Sequence, residues 1–138
     1  MTKQVWDNQV AENSMAESTF RIENRPDNII VVIVEDSSDE TVQHWYEYSM
    51  ADMLMYTGPT KILYDMRALN TISMNAVRKA IKLRRHPNAY LAYTAVLTTS
   101  NTVKALVNVA LSVNAAGRFV TFTDEETAVK WLHSQVPD

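Results

Sequence analysis

The chain of 138 residues contains no cysteine, which excludes disulfides, thiolate metal sites and cysteine nucleophiles. Its two glycines are too few for the glycine-rich loops that cradle nucleotide phosphates, and neither G-x-S-x-G nor H-E-x-x-H occurs. No apolar run approaches the roughly 18 residues that mark a membrane span. The polar amino-terminal stretch MTKQVWDNQVAENSMAE lacks the apolar centre of a signal peptide. A cytoplasmic protein without stable membrane insertion, cofactor or metal is therefore expected. The three histidines, His44, His86 and His133, stand far apart with no ligand-like spacing. Negative charge is missing over a long stretch. Between Asp65 and Asp124 there is no aspartate or glutamate, while eight of the thirteen Lys and Arg residues fall there. Residues 1–65 carry a net −8, residues 66–123 a net +8 and residues 124–138 a net −3. Such a field steers charged partners and says little about fold.

Apolar and charged contents, 46% and 21%, are those of an ordinary globular protein, and the length fits one domain. Residues 1–17 have no clear period and read as an arm; residues 18–138 read as a single domain. TFRIE at 19–23 alternates like a half-exposed strand, and IIVVIV at 29–34 is a β-branched run covered on both faces. The turn residues between them, NRPDN, make this pair an antiparallel hairpin. The S-x-x-E of residues 37–40 predicts a capping box and a helix over 39–56, stopped by Gly58 and Pro59. A strand at 61–65, a basic helix at 73–85 and a strand at 89–98 follow. A nearly uncharged helix at 101–115 is capped by Gly117, then a strand at 118–122 leads to a last helix from Asp124. The order ββαβαβαβα implies right-handed crossovers and an α/β fold: a mainly parallel five-stranded sheet with one antiparallel edge strand.

Three stretches carry a resemblance. KILYDMR at 61–67, YTAVL at 93–97 and FVTFTDEETAVKWL at 119–132 resemble, respectively, a central strand, the next core strand and the closing F-x-x-x-x-x-A-x-x-W-L signature of the STAS superfamily. The likeness is to its SpoIIAA-like, Sec14-related branch of small bacterial proteins, and covers roughly residues 18–133. It implies a STAS/SpoIIAA-like fold and a regulatory, protein-binding role. STAS antagonists of anti-sigma factors carry a phosphorylatable serine in a D-S-(S/T)-G motif. Here the corresponding NTISMNAV, residues 70–77, keeps the hydroxyls of Thr71 and Ser73 but lacks both the Asp and the Gly.

An open α/β sheet binds ligands beyond the carboxyl ends of its strands, which selects two loops. Their candidate residues are Asp65, Arg67, Thr71 and Ser73 in one, and Thr99 and Ser100 in the other. Ser73 at a helix start suits a phosphate, although a plain N-cap explains it as well. Arg78, Lys79, Lys82 and Arg85 form a basic stripe, either a solvated face or a docking surface for an acidic protein. Aromatic interleaving is missing and the calculated pI is about 5.6, which opposes nucleic acid. The helix at 39–56 is apolar around more than one face. Val42, Tyr46, Met50 or Met53, and Leu54 are expected to face the sheet, leaving Trp45, Tyr48 and Met55 for an apolar interface or pocket. Asp65, beside Arg67, is the one acid placed where an α/β enzyme would want one. The expected function is a non-catalytic regulatory or protein-interaction module, a homodimer or the docking partner of an acidic protein. The alternatives are a carrier of a small apolar or anionic ligand, with its pocket between the first and third helices, and an enzyme centred on Asp65.

Overall fold

The protein is described here by a computed structural model that covers residues 20–112 and 118–137. β1 (Phe20–Asn24) and β2 (Ile29–Val34) pair antiparallel. Their turn closes through Arg25 N–H donating to Ile29 O at 2.9 Å. Asn28 sits there at φ 67°, the left-handed region that asparagine tolerates better than most residues. From β2 onward the chain alternates: α1 (Asp39–Met53), β3 (Thr60–Asp65), α2 (Met74–Arg84), a 3₁₀ turn at Pro87–Leu91, β4 (Ala92–Leu97), α3 (Asn101–Leu111), β5 (Phe119–Phe122) and α4 (Glu125–Gln135). The sheet runs β1-β2-β3-β4-β5, with β2 to β5 parallel. This is the predicted architecture, antiparallel edge strand included.

Side-chain alternation divides each strand between two layers. Ile29, Val31, Leu63, Ala95 and Leu97 point to one face, where Ala128 and Leu132 of α4 meet them. Val32, Ile62, Tyr64 and Val96 point to the other, beneath α1, α2 and α3. α2 lies between α1 and α3 and touches both. Among the described residues one helix therefore covers the first face, and three share the second.

Several boundaries differ from the sequence expectations. The N-cap of α1 is Ser38, whose Oγ accepts from Thr41 N–H at 3.3 Å, not Ser37 of the expected capping box. Ser37 Oγ instead accepts from Ser73 N–H at 3.2 Å, a long-range bond that no local pattern reveals. α1 ends at Met53, three residues before the expected Tyr56. Leu54 is exposed rather than facing the sheet, while Trp45 turns inward. Val42, Trp45, Ser49 and Met53, spaced 3, 4 and 4 apart, form the inner stripe, so Val42 and Met53 face inward as expected and Trp45 joins them in place of Leu54. β4 begins at Ala92 because Pro87 starts a 3₁₀ turn at Pro87–Leu91. The arm at residues 1–17 and the Gly117 cap lie outside the described residues.

Candidate functional site

Small side chains create the main internal space. Ala76 and Ala80 of α2 and Ala110 of α3 face the sheet where larger residues would fill the layer, and a cavity of about 130 Å³ opens beneath the three helices. A cavity of roughly 150 Å³ with apolar walls stays dry and admits a benzene ring, which sets the scale. Its walls come from the sheet (Val34, Ile62, Tyr64, Thr94, Val96) and from all three helices. The space expected between the first and third helices thus has α2 across its middle.

Few polar groups reach this space. Trp45 donates its indole N–H to the Tyr64 hydroxyl at 3.1 Å, and the two rings meet edge to face. Burial raises the Tyr64 pKa above the ordinary phenol value, so it stays a neutral phenol at physiological pH. Thr94 is 3% exposed and Arg84, the last residue of α2, is 5% exposed; both line the cavity. Burial lowers the Arg84 pKa, and the nearby positive charge of Arg118 pushes in the same direction, while Tyr64 opposes it. Arg118 itself stacks over Tyr90 and Tyr93, at 4.2 and 5.3 Å from their ring centres. Asp36 and Ser37 line the opposite end, where Ser37 bonds the start of α2.

The predicted loop residues gather at the carboxyl ends of the strands. Ser73 caps α2, its Oγ accepting from Ala76 N–H at 3.1 Å. Ser100 caps α3, accepting from Val103 N–H at 3.1 Å, and donates to Asn70 O at 2.9 Å, which ties the two loops together. Thr71 and Thr99 are exposed. Asp65 accepts from Arg67 N–H, Nε and Nη2 at 3.1, 2.9 and 2.8 Å, so one arginine grips both carboxylate oxygens. These bonds hold its pKa below the usual carboxylate range, against burial. Arg67 also approaches Glu125 at 3.7 Å.

On α2, Arg78 and Lys82 are exposed and Lys79 is half-buried; Arg85, the residue that caps its end, is exposed as well. Lys79 and Lys82 lean on the Tyr46 ring, at 4.7 and 5.8 Å from its centre. Of the α1 candidates, Trp45 lines the cavity, Tyr48 packs against Phe20, and Met55 is 76% exposed beyond the helix end. Sequence reasoning missed Arg84 and Thr94. Arg84 lies within a run of five bases and looks solvated, and only the three-dimensional placement of α2 separates it from its neighbours. Among the described residues no group of acids and histidines could hold a metal ion.

A mainly parallel five-stranded sheet with one antiparallel edge strand and, among the described residues, three helices on one face and one on the other, is a STAS/SpoIIAA-like fold. Among solved structures, a serine-to-glutamate variant of RsbS from Moorella thermoacetica, a STAS-domain protein, is similar at a TM-score of 0.65 and 17% identity, over 88% of this chain and 100% of that one. At that identity the likeness concerns the fold. No family model and no curated protein matches the sequence. Among the described residues no helix is long and apolar enough to cross a membrane.

Proposed function

We propose that this chain is a non-catalytic regulatory module that works by docking an acidic protein on the outer face of α2. The observation that carries this reading is the exposed cationic row Arg78, Lys82 and Arg85, on a segment of the chain with no acid in sequence from residue 66 to 123. The STAS-type fold, found in the regulatory protein RsbS, supports it. So does Asp65, whose carboxylate is engaged by arginine rather than by a serine or histidine that it could activate. Arg78→Glu combined with Lys82→Glu is expected to weaken partner capture while leaving the melting temperature nearly unchanged, since exposed charges contribute only about 0–1 kcal/mol each. Capture that survives the double reversal would make the row a solvated face.

The cavity favours a second reading, a protein that holds a small ligand between sheet and helices. Native mass spectrometry distinguishes the two. A clean oligomer without adduct fits docking or self-association, and a reproducible small-molecule mass fits the ligand reading.

A further inference from the structure

Resting on the docking reading, we infer that the acidic protein received by α2 is a second copy of this chain, which presents its own α1. α1 and α2 lie side by side on one sheet face. They run in the same direction because they follow β2 and β3, which are parallel. Their outer sides carry opposite charge. Asp39, Gln43 and Glu47 are exposed four residues apart along α1, Arg78 and Lys82 are exposed along α2, and Arg85 is exposed at its end. Asp39 and Glu47 accept from the neutral side-chain amides of Asn75 and Gln43, at 3.2 and 2.9 Å, so both keep their charge. Among the described residues none of the three bases joins an ion pair. Glu40 and Asp52 have contacts of their own and take no part in the pairing. The levels also match. Asn75 bonds Asp39, so the two helix starts stand side by side. Glu47 then lies about 12 Å along α1 from Asp39, and Lys82 about 10 Å along α2 from Asn75, at 1.5 Å per residue. A two-fold axis parallel to the helices, above the groove between them, keeps these levels and sets α1 of each copy over α2 of the other. Glu47 of one copy faces Lys82 of its partner, and the pair occurs twice. A two-fold axis across the helices would instead set α1 on α1 and α2 on α2, like charge on like. The acidic complement of the basic row is therefore carried by the same chain, at the same level and on the adjacent helix.

The test is analytical ultracentrifugation of the full chain, at concentrations up to about 1 mM because exposed ion pairs give weak complexes. Wild type is expected to dimerise at low salt and to lose affinity as added salt screens the exposed charges. Glu47→Lys and Lys82→Glu are each expected to weaken the dimer about tenfold, since the symmetry repeats every reversal, and the double variant to restore it. Poly-L-glutamate serves in parallel as an acidic probe that is not this chain. A wild-type chain that stays monomeric, yet binds poly-L-glutamate and loses it in Arg78→Glu with Lys82→Glu, would overturn the second copy and leave docking standing. A chain that binds neither itself nor the polymer would overturn both. A dimer indifferent to the single reversals would place self-association away from α1 and α2. Failure of the double variant to restore the dimer would overturn the facing of Glu47 and Lys82.

Discussion

Asp27, in the hairpin turn, joins three parts of the molecule. Arg25 grips both its oxygens, Nε to Oδ1 at 3.0 Å and Nη2 to Oδ2 at 3.1 Å. His133 Nε2 lies 3.0 Å from Oδ2, and His133 Nδ1 lies 3.2 Å from Lys61 Nζ. A protonated lysine only donates, so Nδ1 accepts from it and the Nε2–H donates to Asp27. The Arg25 hydrogen bonds hold the Asp27 pKa well below the carboxylate range, burial opposes them, and His133 adds to the lowering. A depressed folded pKa means that the unfolded chain takes up its proton first as pH falls. The stability from Asp27 is thus complete above the ordinary carboxylate value, near 4, and is lost as acid approaches the depressed value. Asp27→Asn is expected to melt lower than wild type at pH 7, with the two converging below about pH 4, followed by circular dichroism. Parallel curves over that whole range would show that Asp27 adds no pH-dependent stability. None of this was legible in sequence, because Asp27 and His133 are 106 residues apart and only the packing of α4 brings them together. Tyr64 and Arg84 teach the same point in the cavity. Their types were visible, but their burial was not.

Helix starts were the most legible elements, because capping is a local reaction to unsatisfied N–H groups. Ser38, Ser73, Ser100 and Asp124 cap the four helices of the described residues, each accepting an N–H three residues ahead. Ser100 also donates to Asn70 O, so its loss removes a cap and a tie between loops. Ser100→Ala is expected to cost about 1–2 kcal/mol in urea unfolding. A cost near zero would mean that water replaces both bonds. Helix faces were harder. α1 carries so many aromatic and methionine side chains that composition admits several inward stripes. The contact with β3 decides between them, since the Trp45 indole N–H finds its acceptor at Tyr64. α2 was simpler, because its basic residues force one face outward, although Arg84, one residue before the exposed Arg85, still turns in.

At the scale of the whole molecule, the two sheet faces are protected unequally. Among the described residues α4 is the helix on the face where Leu63, Ala95 and Leu97 are 1%, 0% and 0% exposed, which it covers through Ala128 and Leu132, both 0% exposed. A chain ending at Thr123 would open that apolar face to solvent, a patch of the kind that drives association. It is expected to elute as aggregate in size-exclusion chromatography; a folded, monodisperse product would show that α4 is dispensable. The strand and helix order, the edge hairpin and the parallel sheet were determined by sequence alone, since β-branched runs, turn residues and caps act over a few residues and admit one right-handed winding. The charge segregation and the outward row Arg78, Lys82 and Arg85 were legible for the same reason. Tertiary structure alone decided the inward turn of Trp45, the burial of Arg84, the Asp27–His133–Lys61 chain and the cavity itself. Each depends on which side chain from a distant element fills, or fails to fill, a given space. That is a property of packing between layers, and no local pattern records it.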